Sequence, residues 1–291
     1  MGKVVKGFII GACICIVVGL ILFIGGAVSG GLAGARAIME NGGITIGISS
    51  DDFKEYNTAT EHTISLAGMD TPDLELELGA GEFEIIESDV TDIVVKASKK
   101  IEVSTDNDTI KIHTPEYFNF IKIGVMDTGN KVTIEMPKGM KFEDVKMEIG
   151  AGELNCPGIF AETLRMDIGA GAIYVDEYTC EEAVASVGAG EIIVGKGTAE
   201  DMDIDVGMGN LVFHGEVLDK LDVDCGMGNV QMWLKGSEKD HNYEIDCGMG
   251  NVTVGSTSYG GVAADQDIDN GASSEFDLDC GMGNLEIHFG E

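Results

Sequence analysis

The stretch DCGMGN stands three times in this chain, at residues 224–229, 246–251 and 279–284, and its repetition decides the fold. Each copy belongs to a wider series of Gly-x-Gly triplets that begin at Gly79, Gly150, Gly169, Gly188, Gly207, Gly226, Gly248 and Gly281. From 150 to 226 the step is 19 residues, four times in register; the later steps are 22 and 33. The extra residues fall in the polar stretches KGSEKDHN, 235–242, and STSYGGVAADQDIDNGASSE, 256–275. A constant period with insertions confined to loop-like segments is the mark of a solenoid.

Read backwards from each first glycine, side chains alternate. Ile149, Ile168, Val187, Val206, Cys225, Cys247 and Cys280 lie one position back, and Met147, Met166, Ala185, Ile204, Val223, Ile245 and Leu278 three back. Polar residues occupy the position between. After the glycines, Leu154, Ile173, Ile192, Leu211, Val230, Val252 and Leu285 begin a second alternating run. A period of two is that of a half-buried strand. Each coil therefore reads as strand, Gly-x-Gly corner, strand, turn, and coils stack about 4.8 Å apart as parallel strands. The corner glycines would permit positive φ and close backbone approach, with the Met or Ala between them packing at the bend. The fold class expected is all-β, a β-helix-like solenoid of single-stranded coils, preceded by one transmembrane helix.

Stacking turns alignment columns into spatial neighbours. Cys225, Cys247 and Cys280 occupy a column filled elsewhere by Ile and Val and read as small buried hydrophobes. Three thiols on one line lack the convergence of a zinc site and cannot all pair. Asn210, Asn229, Asn251 and Asn284 read as a ladder of amides donating to one another. His214 and His288 share a column but are separated in sequence by Trp233 and Gly255, so neither forms a dyad. Gly-x-Gly joining strand to strand is not a dinucleotide site, which needs a strand followed by a helix.

The strongest candidate site is a double acidic column in the last four coils. Asp203, Asp222, Glu244 and Asp277 form one line, and Asp205, Asp224, Asp246 and Asp279 form the next. Like charges opposed on paired strands cost roughly 0.2–1 kcal/mol per pair. Earlier coils carry Lys146 and Arg165 in the first column, whereas the later coils show no such basic partner. Calcium, with its flexible oxygen coordination, would offset the repulsion; a solvated, salt-screened face is the competing reading. No other cofactor is indicated, and no nucleophile motif or distinguished carboxylate pair marks an enzyme.

The sequence has 291 residues and a formal charge of −33. Beyond Lys3, Lys6 and Arg36, the chain carries 15 basic against 51 acidic side chains, which excludes a nucleic-acid binder and disfavours anionic surfaces. Residues 7–28, GFIIGACICIVVGLILFIGGAV, contain no charge and are long enough for a ~30 Å hydrocarbon layer. A cleaved signal peptide is the alternative, but the apolar run is long for one. Lys3 and Lys6 against Arg36 place residues 1–6 in the cytoplasm and the acidic bulk outside. The expectation is a single-pass plasma-membrane protein with an extracytoplasmic C-terminal part: a juxtamembrane linker at 29–64, irregular coils at 65–145 and regular coils at 146–291. The last coil would leave an uncapped edge, open to oligomerisation.

The same grammar precedes the strict repeats, in LELELGAGEFEIIESDVTDIVVKA, 74–97, and NKVTIEMPKGMKFEDVKMEIGAGELN, 130–155. A strand ending in Pro-Lys-Gly, followed by a strand into Gly-x-Gly, resembles the bacterial putative-adhesin repeat family (LiaG-like) over roughly residues 65–291. That resemblance implies a β-solenoid on a single anchor, a cell-envelope location and a role in adhesion or envelope stress, with a protein or glycan partner and no catalytic residues. A calcium-stabilised solenoid and, more weakly supported, a carbohydrate-active enzyme are the other readings.

Overall fold

The computed structural model describes residues 44–46, 58–115, 121–123, 129–260 and 264–290. The expected cytoplasmic segment 1–6, the transmembrane helix 7–28 and most of the linker 29–64 lie outside the described residues; among those described, no helix is long and apolar enough to cross a membrane. Two units are distinguished. In one, Ile44–Ile46 and Ile121–Ile123 pair antiparallel. The other holds the remaining described strands and all of the coils.

Among the described residues nine coils stack, each giving one strand ahead of the corner and one behind it. In stacking order the leading strands are Thr109–His113, Asp73–Leu78, Lys141–Ile149, Ile159–Ile168, Glu182–Val187, residues 201–206, residues 220–225, Ser274–Cys280 and His241–Cys247. The trailing strands follow the same order, from Asn130–Pro137 and Gly81–Ser88 to Asn284–Gly290 and Asn251–Val254. Both sets are parallel. The inward columns named from the sequence are buried and join one hydrophobic cluster that runs through the stack. Burying such a side chain contributes about 1.5–3 kcal/mol, largely offset by the entropy of ordering the chain.

Stacking order departs from sequence order at both ends. Coil 274–290 lies between coil 220–235 and coil 241–254, and coil 73–88 lies between coil 109–137 and coil 141–156. The last coil in sequence is therefore not the open edge that was expected, because Ser274–Cys280 has a parallel partner over its length on one or both sides and Asn284–Ile287 has one on each side. The steps of 22 and 33 residues are the reason: the first connection passes one level by, and the second returns to fill it. The stretch 256–275, expected to be loop, contains Thr257–Gly260 and Ala264–Ile268, which pair antiparallel with the outer coil 241–254. At the opposite end Ile93–Ala97 and Glu102–Asp106 cover coil 109–137 in the same antiparallel manner. Thr60–Ile64 pairs with Ile93–Ala97, so the folded unit begins before residue 65.

Two local expectations also change. In Glu191–Val206 and Asn210–Cys225 no turn separates one coil from the next; a single 16-residue strand bends through irregular register near Gly197 and Gly215. The glycines of the regular corners do not adopt positive φ. What requires them is proximity: a Cβ on Gly228 would lie 2.4 Å from the carbonyl oxygen of Gly209 in the coil beneath. The methionines between them do not pack at the bend. Met208, Met227, Met249 and Met282 are 51–69% exposed.

Candidate functional site

The acidic columns form as the alternation requires. Asp203, Asp222, Asp277 and Glu244 follow one another in register, with Asp205, Asp224, Asp279 and Asp246 alongside. All eight are exposed or half-exposed, because each sits at an outward position of a strand whose alternate residues fill the core. The threaded coil places Asp277 and Asp279 in the middle of the columns, with acids on both sides. Burial and then its neighbours Asp277, Asp224, Asp246 and Asp222 push the Asp279 carboxyl up to about 6. The carboxyls of Asp203, Asp205 and Asp277 are likewise raised, first by partial burial and then by adjacent acids.

The columns are not wholly without a basic partner. Lys220, two residues before Asp222, reaches that carboxylate at 3.5 Å and also favours the ionised forms of Asp203 and Asp277. Among the described residues no three His, Cys, Asp or Glu side chains converge as they would around a metal ion. The eight carboxylates are spread along two lines, and calcium coordination there requires neighbouring side chains to turn toward one another.

Beside these columns the other lines serve the fold. Cys225, Cys280 and Cys247 are free, buried and successive in the stack; burial pushes the Cys225 thiol up to about 12, which leaves it an unreactive hydrophobe. The amide of Asn251 donates to Asn284 at 3.3 Å and that of Asn284 to Asn229 at 3.1 Å, so the amide ladder exists across these three coils.

One constellation escaped the sequence reading. His214, Trp233 and His288 stack in successive coils, with ring centroids 4.6 and 5.2 Å apart. Sequence order put Gly255 between Trp233 and His288; the threaded coil instead brings His288 onto Trp233. The stack borders a surface hollow of about 320 Å³, lined also by Gly195, Lys196, Lys235 and Phe289. Gly195, which follows Val194 where the register becomes irregular, adds no side chain to the hollow. The two lysines are held by ion pairs to Glu177 and Glu216. Glu286, which accepts from Asn284, Gln231 and His288, has its carboxyl held below the usual range by those bonds. The clue in the sequence was the shared column of His214 and His288.

A family model described as Toastrack DUF4097 matches residues 38–287. No curated protein matches the chain significantly. Solved structures that are similar include a putative adhesin from Bacteroides fragilis, 11% identical, covering 79% of this chain and 95% of its own, with a TM-score of 0.43. A putative adhesin from Parabacteroides distasonis is 14% identical over 79% of this chain and 97% of its own, with a TM-score of 0.41. A putative cell adhesion protein from Clostridium sporogenes is 13% identical over 80% of this chain and 99% of its own, with a TM-score of 0.37.

Proposed function

The chain belongs to the Toastrack DUF4097 family, and from that premise we propose that it is a non-enzymatic, membrane-anchored envelope protein that presents an acidic solenoid face to a basic partner. Within the family the reading closest to the sequence is the LiaG-like one: a charge-free segment at 7–28 as anchor, a linker, and the solenoid outside the plasma membrane. Adhesion-like binding to a protein or a glycan is the activity that such an arrangement serves. The observation that carries the proposal is the register of the columns. Eight carboxylates occupy two adjacent lines on four successive coils, with Asp279 pushed up to about 6 by burial and its neighbours. A cationic surface laid along both lines relieves that repulsion at every level, and the resulting attraction is salt-sensitive. The His214–Trp233–His288 stack adds an exposed aromatic contact suited to a protein or sugar surface.

The test compares the purified full-length chain with its D205N/D224N/D246N/D279N variant for binding to polylysine and to isolated cell-wall polysaccharide, at low and high salt. Binding of the basic polymer that fades with salt and is lost in the variant supports the acidic face. Equal binding by both proteins removes the columns from the reading, and polysaccharide binding that survives in the variant moves the contact to the aromatic stack.

A second reading, calcium between the columns, is favoured by the same repulsion, since an ion held by oxygens of adjacent coils would remove it. Thermal unfolding with and without millimolar calcium separates the two. A rise in Tm that vanishes in the variant supports an ion site, by the linkage of binding to stability. No rise, with a variant that melts higher in buffer alone, leaves the solvated binding face.

A further inference from the structure

The four regular corners nearest one end of the stack each place a methionine between their glycines, where the preceding corners place Ala80, Ala151, Ala170 and Ala189. The switch is not a packing requirement. Met208, Met227, Met282 and Met249 are 56, 51, 54 and 69% exposed, so an unbranched apolar side chain sits at each corner with most of its surface in water. In the stack their order is 208, 227, 282, 249: Met227 N donates to Gly207 O, Met282 N to Gly226 O and Met249 N to Gly281 O, at 2.7–2.8 Å. A sequential stack would order them 208, 227, 249, 282; the threaded coil sets Met282 between Met227 and Met249. Either way four thioethers occupy successive levels, their backbones about 4.8 Å apart.

Three physical facts bear on what such a row can hold. A methionine has three rotatable bonds, so sulfurs from adjacent levels can close on a single ion. Thioether sulfur is a soft, neutral donor that selects Cu(I) over the hard, oxygen-seeking calcium and magnesium ions. A neutral donor set leaves the ion's charge uncompensated, and here the compensation is close. Asp205, Asp224, Asp279 and Asp246 stand three residues before the respective methionines on the same four coils, and their field concentrates cations while repelling anionic lipid.

We propose that the exposed Met208–Met227–Met282–Met249 ladder is a binding site for a soft monovalent cation, Cu(I) or its redox-stable analogue Ag(I). Two or three neighbouring sulfurs supply the ligands, and the acidic column beside them supplies the attraction. The site is independent of the buried Cys225, Cys280 and Cys247, which face the core on three of the same four coils.

The experiment titrates Ag(I) into the purified full-length chain carrying methionine labelled at its ε-methyl carbon. The four corner methyl resonances, assigned by single Met→Leu changes, should shift, while those of core methionines such as Met147 and Met166 stay in place. In parallel, Cu(I) under reducing conditions is partitioned between the chain and a chromophoric Cu(I) chelator. The wild-type chain should withdraw copper that an M208L/M227L/M282L/M249L variant does not, and added calcium should not displace it. Leucine keeps the apolar volume, and circular dichroism checks that the variant is folded. The labelling arm needs only the unsubstituted site and reads it directly. Stationary corner resonances overturn the proposal, as does a folded Leu variant that withdraws as much copper as wild type, which would assign the copper to the cysteines. If the Leu variant instead loses capture of an apolar peptide while neither form binds Ag(I), the ladder is a docking ridge and the cation proposal is wrong.

Discussion

The second glycine of each regular corner lies against the carbonyl of the coil beneath, and this contact sets what the position tolerates. A Cβ at Gly228 would come within 2.4 Å of Gly209 O, whereas one at Gly226 would come within 3.1 Å of Gly207 O. Gly228→Ala should therefore destabilise by the 1–3 kcal/mol typical of overpacking, and Gly226→Ala by less, measured by urea unfolding. At the cysteines, burial governs reactivity. Cys225, Cys247 and Cys280 should resist alkylation in native buffer and react fully in denaturant, since all three are buried out of reach of the reagent and burial also raises the Cys225 and Cys247 thiols. The inward role of these residues was legible because a strand gives each position one of two faces. The absence of positive φ at the corners was not, because Gly is compatible with several backbone states and only the stacked neighbour shows which constraint operates.

A strand within the stack is held by two ladders and one side-chain column on each face. Leu211, fully buried in the middle of its column, should cost about 2–5 kcal/mol when replaced by Ala. On the outer face the sign is reversed. Removing charge from the acidic columns in D205N/D224N/D246N/D279N should raise the melting temperature at low salt, by no more than about 1 kcal/mol per relieved pair given the solvent exposure. The pH dependence follows from the same groups. Asp203, Asp205, Asp277 and Asp279 have folded-state values raised above the unfolded carboxylate, so the folded chain binds more protons, and these groups stabilise it as pH falls from 7 through about 6 toward 4. His241 acts in the opposite sense. It stacks on Phe276 at 4.1 Å and bonds Ser274 at 2.8 Å, and burial lowers its value, so its contribution is present above the ordinary histidine range and is lost below it. Melting curves across pH should therefore show the acid-side gain in the wild type, and a smaller gain or a net loss in the Asn variant, where His241 remains. The columns themselves were readable from alternation alone. Lys220 was missed as their counter-charge because it occupies the neighbouring outward position rather than either column.

At the scale of the whole molecule, the period was readable and the order of the stack was not. A repeat of 19 residues fixes how far the chain travels per coil, but it holds only from 150 to 226; beyond it, lengths of 22 and 33 are compatible with a bulky loop or with a skipped level. The choice depends on long-range pairing, Cys225 with Cys280 and Cys280 with Cys247, which no local pattern encodes. The same ambiguity hid the His214–Trp233–His288 stack and the order of the methionine row. The order is testable by deleting residues 274–291. In a sequential stack this would shorten one end and leave the rest protected. Here it removes the layer on which coil 241–254 rests, so amide exchange in His241–Cys247 and Asn251–Val254 should rise to the level of an unfolded segment, while residues 159–206 keep their protection.

The threaded coil also determines how this protein answers to mechanical load. Were the strand leading to Gly290 on an open edge, tension on it would peel away one ladder, a hydrogen bond at a time. As built, Asn284–Ile287 runs parallel between residues 229–232 and Asn251–Val254, so tension along that half of the strand must shear two ladders together. Load reaching this strand is thereby shared by two neighbouring coils over its first four residues.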